Sequence, residues 1–205
     1  MKQRSVTKDV DLANKFNESI LVIKKQLLFP NGIWKGIKQV NFDQYATLIK
    51  THREFMPRGL AEENFEYKQI IPYLVFRYQD LYFLMQRKSS SSEQRLASKY
   101  SLGIGGHLRE EDIKTSSLIT WAEREFDEEI FYQGSLTITP LGLLNWEETP
   151  VDQVHTGFVF LLEGDSSHIK IRSELQSGEL VPLSRCKEYN LENWSRLVVE
   201  HLESI

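Results

Sequence analysis

The sequence predicts an α+β protein in which helices cover both faces of a sheet, an α/β/α sandwich. Two β-rich runs, residues 69–76 and 81–86, flank a short turn, which is the pattern of an antiparallel hairpin. An amphipathic segment that follows a glycine-rich turn lies between these strands and later ones. Residues 193–202 form a second amphipathic helix near the end of the chain. Strands and helices that alternate in this way favour a layered fold.

The other elements follow from apolar spacing and turn residues. Residues 19–28 predict a strand that ends at a Pro-Asn-Gly turn. Residues 42–55 predict a helix, because apolar residues recur every three or four positions. The central helix is expected to be capped by Thr115, Ser116 or Ser117 and to stop at residues 133–135. Further strands are predicted at residues 136–144, 154–162 and 180–183.

Proline and glycine inside two of these strands predict local irregularity. Pro72 has no backbone N–H to donate, so it predicts an edge position or a bulge for residues 69–76. Pro140 and Gly142 predict the same for residues 136–144.

Composition excludes several classes of function. The 205-residue chain has 40% hydrophobic and 26% charged residues, as ordinary globular proteins do. Its net charge of −4 gives no general attraction to nucleic acid or to an anionic membrane. No apolar run reaches the ~20 residues that span a bilayer. Cys186 is the single cysteine, so no internal disulfide can form. We therefore expect a cytoplasmic protein without membrane or nucleic-acid partners.

The central helix carries a stripe of acidic residues. Successive helical residues are rotated by about 100°, so Glu125, Glu128 and Glu129 fall on one side within roughly one turn. Like charges at this spacing repel by about 0.2–0.5 kcal/mol per pair. A hard divalent cation would offset that repulsion, because Mg²⁺ prefers carboxylate and phosphate oxygens. The alternative is a solvated acidic face.

Two features beside the acidic stripe bear on this choice. A neighbouring apolar stripe can pack on a sheet, and it contains Ile119, Ala122, Phe126 and Ile130. Upstream, Gly103, Gly105 and Gly106 mark a place where the backbone turns tightly or approaches another group closely. The glycines favour a binding site over a merely solvated face.

This combination resembles the signature of the Nudix hydrolase superfamily, G-x5-E-x7-R-E-U-x-E-E-x-G-U, in which U is apolar. Arg124, Glu125, Phe126, Glu128 and Glu129 match R-E-U-x-E-E position by position. The surrounding segments are similar to one uncharacterised branch of the superfamily, of the MutT type, whose members are labelled predicted phosphoesterases. The resemblance extends over residues 16–202.

The chain departs from the signature in three ways. Arg124 comes 18 positions after Gly106 instead of 14, so about four residues are inserted. Ser116 stands where the first glutamate is expected, so either that glutamate is missing or a nearby acidic residue serves in its place. Phe131 replaces the late glycine. The candidates for the first glutamate are Glu110, Glu111 and Asp112.

The resemblance implies a mixed sheet in an α/β/α sandwich, with a Nudix domain at residues 66–205 and a packed strand–helix extension at residues 1–65. It also implies metal-dependent hydrolysis of a diphosphate linkage in a small molecule, such as a nucleoside diphosphate derivative. The cofactor would be Mg²⁺ or Mn²⁺. Many members of the superfamily form homodimers, so dimerisation stays open.

The resemblance also assigns roles to residues of the motif. Glu128 and Glu129 would bind the metal, and Glu125 would bind it or assist as a base. The Gly106 carbonyl would complete the set of metal ligands. Arg124 would orient the glutamates through ion pairs.

Residues outside the motif are candidates for contacts with the substrate. Arg87, Arg95 and Lys99 are expected near the start of the acidic helix, where cations suit a diphosphate, although a solubilising basic loop explains them too. His107 follows the glycines and is a candidate for contact with the substrate or with metal-bound water. The aromatic candidates for stacking on a base are Tyr73, Phe76 and Trp146, although packing in the core or at its rim explains each of them equally well.

The catalytic base is left open by the sequence. A distant loop or strand offers Glu147, Glu148, Asp152 and Glu163. Imidazole transfers protons near neutrality, which adds His155, although a histidine in a strand is more often packed or hydrogen-bonded.

Two alternative functions compete with hydrolysis. The altered motif also fits a Nudix-fold module that binds a nucleotide as a sensor and turns it over weakly or not at all. A prenyl diphosphate isomerase needs a reactive cysteine paired with a glutamate, and Cys186 is remote from the motif in sequence.

Overall fold

The structure is a computed structural model that describes residues 16–87, 98–113, 117–172 and 175–205. Its strands are β1 Ser19–Lys24, β2 Gly36–Lys38, β3 Glu54–Pro57, β4 Tyr67–Tyr78, β5 Leu81–Arg87, β6 Tyr100–Ser101, β7 Gly103–Gly105, β8 Ile130–Tyr132, β9 Leu136–Asn145, β10 His155–Gly164, β11 Ile169–Ile171 and β12 Leu175–Pro182. Its α-helices are α1 Lys25–Leu28, α2 Phe42–His52, α3 Arg58–Ala61, α4 Leu118–Glu129, α5 Pro150–Val154, α6 Leu183–Cys186 and α7 Asn193–Glu203.

The main sheet is mixed, as the sequence predicts. Its path runs β12-β5-β4-β10-β9-β2, with β1 and β7 also paired to β4. β10 is parallel to β4, whereas its other neighbour, β9, is antiparallel to it. β8 and β11 form a separate antiparallel pair. Within the described residues these strands make the middle layer of an α/β/α sandwich.

Two apolar clusters cover the two faces of this sheet. On one face, α2 and α4 pack through Ile49, Trp121 and Phe126. On the other face, α6 and α7 pack through residues that include Cys186 and Val198. The side chains of β4 alternate between the clusters because successive residues of a strand point to opposite faces. The predicted α+β sandwich is confirmed.

The hairpin between β4 and β5 is confirmed, but the edge position predicted for β4 is wrong. β4 lies in the interior of the sheet, and Pro72 is opposite Phe158 of β10. On the other side of β4, β1 pairs up to Gln69 and β7 pairs from Tyr73 onwards. Pro72 therefore lies in the short interval between two partner strands, where a missing N–H is tolerated.

The irregularity predicted for residues 136–144 is present. The pairing of β9 with β10 shifts register between Val159 and Phe160, which lie opposite Gly142 and Pro140. Leu141, which lies between Pro140 and Gly142, is therefore the extra residue of a β-bulge. A side chain at Gly142 would overlap the carbonyl oxygen of Lys38, so β2 can approach closely there.

Several element boundaries differ from the sequence prediction. The helix expected over residues 42–55 ends at His52, because Glu54–Pro57 form β3, and the strand expected at residues 180–183 spans Leu175–Pro182. The strand expected over residues 19–28 ends at Lys24, and residues 25–28 form the helical turn α1. The central helix begins after Ser117, whose side chain accepts from the N–H of Thr120 at 3.3 Å. It ends at Glu129 and not at residues 133–135, because Ile130 already belongs to β8.

The first part of the chain contributes strands to the same sheet. β1 pairs with β4, and β2 pairs with β9. These contacts are consistent with an extension packed on a core, while the predicted division into residues 1–65 and 66–205 stays a prediction. In the part of the chain that the structure describes, no helix is long and apolar enough to cross a membrane.

The buried face of α4 differs in one position from the predicted stripe. Ala122, Phe126 and Ile130 are buried as expected, but Ile119 is 41% exposed. Leu118 and Trp121 are buried instead. The stripe is therefore rotated slightly toward Leu118, and Phe126 stacks on Phe76 with ring centroids 6.1 Å apart.

We expect the substitution Phe126→Ala to lower the free energy of unfolding by about 3–5 kcal/mol, because it leaves a cavity beneath α4. Ile119→Ala, on the exposed side of the same helix, is the matched control, with an expected loss of about 0.5 kcal/mol or less. Urea unfolding followed by circular dichroism measures both. Equal losses in the two variants would show that α4 is not anchored by Phe126.

Candidate active site

The glycine turn is a place of close backbone approach. β7 pairs with β4 directly beneath it, so a side chain at Gly103 would overlap the ring of Tyr73. A Cβ at Gly106 would overlap the carboxylate of Glu125 from α4. At both positions a neighbouring side chain occupies the space that a Cβ would need, so any residue other than glycine would have to displace it. The turn and the acidic helix are therefore in direct contact.

The acidic helix presents its glutamates in different surroundings. Glu125 is only 5% exposed, whereas Glu129 is half-buried and Glu128 is exposed. Arg124 bridges two of them, with Nη2 at 3.2 Å from Glu125 Oε2 and Nη1 at 2.6 Å from Glu128 Oε1. The arginine offsets the repulsion between these carboxylates and holds both in place.

A second arginine brings further acidic groups to the same place. Arg109 lies 3.4 Å from Glu111, 3.8 Å from Glu18 and 3.8 Å from Glu128. Glu111 belongs to a short 3-10 helix, residues 110–112, that follows the glycine turn. Of the substitutes predicted for the first glutamate of the motif, Glu111 is thus connected to Glu128 through Arg109.

A pair of histidines lies next to the glycine turn. The Nε2 atoms of His107 and His155 are 3.2 Å apart, and His107 Nε2 is 2.7 Å from Oε1 of Gln69. His155 Nδ1 lies 2.7 Å from the carbonyl oxygen of Val151, and its Nε2 lies 3.8 Å from Glu62. His155 is therefore hydrogen-bonded, as a histidine in a strand usually is, and it also faces His107.

A buried lysine supports the loop before β10. Lys68 Nζ lies 2.6 Å from Glu147 and donates to the carbonyl oxygens of Asp152 and His155. Burial lowers the pKa of Lys68 to about 8, although the neighbouring Glu147 carboxylate opposes this shift. Glu147 also pairs with Lys25 at 2.5 Å. Glu147, a candidate base, is thus held between two lysines.

The other candidate bases have separate surroundings. Glu148 is exposed and lies 3.4 Å from Lys35. Asp152 is buried, and its backbone N–H donates to Thr149 Oγ1 at the start of α5. Glu163 pairs with Arg77 at the far end of β10 from His155.

The predicted substrate-binding residues do not form one group in the described structure. His107 lies at the glycine turn, but Arg87 Nε lies 3.1 Å from Glu192, beside the start of α7 on the opposite layer. Lys99 is half-buried just before β6, and its carbonyl oxygen accepts from the N–H of Arg87. Arg95 lies outside the described residues. The roles predicted for these residues stay predictions.

For two of the three aromatic residues, core packing holds and stacking on a substrate does not. Tyr73 and Phe76 are buried in the core, so their rings do not offer a surface to a ligand. The Tyr73 hydroxyl bonds to Ser195 at 2.9 Å, and burial raises the pKa of this phenol. Trp146 is partly exposed and carries Lys35 Nζ 4.0 Å above its ring.

Cys186 lies in α6, in the apolar cluster on the face of the sheet opposite α4. It is fully buried, and desolvation raises the pKa of its thiol to about 11. A thiol that is buried, protonated and on the other layer does not meet the glutamates, which removes the prenyl diphosphate isomerase alternative.

Sequence reasoning missed the convergence of Glu62, Gln69, His107 and His155. Glu62 follows α3 in the N-terminal part of the chain, and sequence patterns there indicate only a connecting segment. A signal existed at His107, because a histidine directly after a double glycine is next to the turn. The residues around His107 in the sequence gave no indication that Glu62, Gln69 and His155 would lie next to it.

Comparisons with known proteins agree with this geometry. No protein-family model matches the chain. Protein YmaB of Bacillus subtilis is 35% identical over 207 residues, which cover 92% of this chain and 99% of YmaB. The crystal structure of Tm1382, which is assigned as a Nudix hydrolase, matches with a TM-score of 0.76 and 32% identity over 90% of this chain and 98% of Tm1382.

A more distant match shows the fold alone. The NUDIX domain of NrtR from Shewanella oneidensis, solved with ADP ribose, has a TM-score of 0.54 and 14% identity over 67% of this chain and 87% of that domain. Together with the acidic helix and the glycine turn, the similarity to Tm1382 defines the class: the chain belongs to the Nudix hydrolase superfamily. It is a Nudix-type pyrophosphohydrolase, as the sequence predicts.

We expect Gly106→Ala to displace the Glu125 carboxylate, because the added Cβ needs the space that this carboxylate occupies. The carboxylate ends a flexible side chain, so it should move before the backbone does. The expected result is a loss of hydrolysis of about 100-fold, since shifts of about 1 Å at reacting groups have that effect. The apparent melting temperature should fall by only a few degrees. Steady-state kinetics and thermal denaturation measure these effects, and full activity would mean that the Gly106–Glu125 contact is not needed.

We also expect Cys186 to resist alkylation. A pKa of about 11 leaves few thiolates at pH 8, and burial blocks access. Iodoacetamide should react at least about 100-fold more slowly with the native protein than with the urea-unfolded chain. Mass spectrometry follows the reaction, with Cys186→Ser as the blank. Similar rates in the two states would contradict the buried position.

Proposed function

We propose that the protein hydrolyses a diphosphate linkage in a small molecule, a nucleoside diphosphate derivative, with the help of Mg²⁺ or Mn²⁺. The observation that carries the proposal is the contact between the Gly106 backbone and the buried Glu125 carboxylate, next to Glu128 and Glu129 on the same helix. Carboxylate and carbonyl oxygens are the ligands that these cations prefer. The residues present therefore fit the divalent ion on which Nudix hydrolases in general depend.

The metal would be held by Glu125, Glu128, Glu129 and the carbonyl oxygen of Gly106. A divalent ion bound there supplies charge neutralisation for the diphosphate and lowers the pKa of a bound water. Arg124 keeps Glu125 and Glu128 oriented through its two ion pairs. We assign it a positioning role, since it forms ion pairs with two carboxylates of the site.

Glu111 is the substitute that we propose for the missing first glutamate. Arg109 contacts Glu111 and Glu128 together, so both carboxylates are near one guanidinium group. The 3-10 turn at residues 110–112 lies between Gly106 and Arg124, in the interval that is about four residues longer than in the signature. An acidic side chain in that turn can take the place of one that the standard spacing puts nearer to Arg124.

The proposed substrate class, nucleoside diphosphate derivatives, is supported by one protein of similar fold. The NUDIX domain of NrtR is complexed with ADP ribose, which is a nucleoside diphosphate derivative. ADP-ribose is therefore the first compound to test, with other nucleoside diphosphate derivatives beside it.

We expect the purified protein to release product from at least one compound of this panel in the presence of Mg²⁺ or Mn²⁺, and EDTA to abolish the reaction. The double variant Glu128→Gln, Glu129→Gln should lose at least about 100-fold in kcat/KM, since groups that stabilise developing charge contribute that much. Glu123→Gln is the matched control, because Glu123 is an exposed acidic residue on the same helix.

Two outcomes would contradict the proposal. Unchanged activity in the double variant would place the reaction elsewhere. Tight nucleotide binding without turnover, measured by calorimetry, would favour the sensor module over the enzyme.

A further inference from the structure

A second group of metal-ligating side chains lies beside the glutamates of α4. Glu62, His107 and His155 each offer one ligand atom, and these atoms all lie within 4.8 Å of one another. They come from the end of α3, the turn after β7 and the first residue of β10. Three separate parts of the chain therefore bring their donor atoms to one point.

The spacing of the two imidazoles suits a shared cation. Their Nε2 atoms are 3.2 Å apart. Two nitrogens bound to one tetrahedral Zn²⁺ at about 2.0–2.1 Å are about 3.3 Å from each other. Glu62 Oε1 is 3.8 Å from His155 Nε2, a distance that a small rotation of this half-buried side chain shortens. Arg58 lies 3.7 Å from the same Glu62 atom and would compete with the cation.

The surroundings of His155 prepare its Nε2 atom to bind a metal. Its Nδ1 lies 2.7 Å from the Val151 carbonyl oxygen, which can only accept, so Nδ1 carries the proton. In a neutral ring this leaves the lone pair on Nε2, directed at His107. A backbone carbonyl that fixes the tautomer in this way is the usual outer partner of a metal-bound histidine.

Gln69 packs against the histidine pair. Its side chain is 1% exposed, with Oε1 2.7 Å from His107 Nε2 and with Nε2 lacking any hydrogen-bond partner among the described residues. Buried polar atoms are nearly always satisfied, and exceptions often mark a water or ion. The amide oxygen can only accept, so His107 Nε2 donates its proton to Gln69 Oε1 when no ion is bound. A cation bound to His107 Nε2 would displace that proton and would have the amide oxygen as a neighbouring oxygen donor.

We propose that Glu62, His107 and His155 form a binding site for a divalent transition metal of the Zn²⁺ type. Two imidazole nitrogens and one carboxylate select such an ion over Mg²⁺, which prefers oxygen ligands. His107 directly follows Gly106, so the site adjoins the glutamate centre without sharing its side chains. The proposal does not depend on the hydrolytic function, since binding can be measured without turnover.

The test is a calorimetric titration of the EDTA-treated, dialysed full-length chain with Zn²⁺. We expect one Zn²⁺ to bind tightly per chain, and His107→Gln or His155→Gln to weaken it at least about 100-fold, since loss of only an outer partner already costs about 10–100-fold. Titration with Co²⁺ should produce the visible absorption bands of a low-symmetry site in the wild type and not in these variants. His168→Gln is the matched control, because His168 is exposed and outside the cluster.

The glutamate double variant separates the two centres. Zn²⁺ binding that survives Glu128→Gln, Glu129→Gln supports a distinct site, whereas its loss there would overturn the proposal in favour of one shared centre. Failure of the wild type to bind Zn²⁺, or equal affinity in the histidine variants, would also overturn it. Circular dichroism checks folding. Should the buried His155→Gln variant misfold, Glu62→Gln and His107→Gln decide the outcome.

Discussion

The candidate active site depends on a carboxylate that is buried against a glycine backbone. Glu125 takes the space that any side chain at residue 106 would need. The contact holds the acidic helix against the turn after β7 at a fixed distance. It is possible because Phe126 and Trp121, on either side of Glu125 in the helical projection, anchor α4 to the sheet. Packing of the apolar face therefore sets the position of the charged one.

Electrostatic balance around this contact comes from two arginines. Arg124 pairs with Glu125 and Glu128, and Arg109 adds Glu111 and Glu18 to the same network. Buried or half-buried carboxylates need such partners, because an uncompensated charge in a poorly solvated place is strongly destabilising. The arginines reduce the repulsion between the acidic residues. A histidine pair lies next to this network and has a different ligand chemistry.

Most of the fold was predictable because its signals are local. The hairpin at residues 77–82, the cap at Ser117 and the amphipathic face of α4 all depend on residues close together in sequence. The errors have a common cause. Pro72 predicts an edge strand or a bulge, because the local sequence does not reveal the partners of β4. In the structure β1 pairs with β4 before Pro72 and β7 pairs with β4 after it. Ile119 was placed in the core because a periodic pattern fixes the width of an apolar stripe better than its rotation.

The sequence by itself indicated the class of protein through its resemblance to the Nudix signature, and helical periodicity placed the acidic residues on one side of a helix. Both depend on residues that are neighbours in the chain. Only the tertiary structure decided which groups meet: Glu125 with Gly106, Glu111 with Glu128 through Arg109, and Glu62 with His107 and His155. It also put Tyr73 and Phe76 into the core and Arg87 beside Glu192. The physical reason is that these encounters depend on the pairing order of the strands and on the packing of helices across the sheet. Such long-range contacts produce no periodic pattern in the amino-acid sequence.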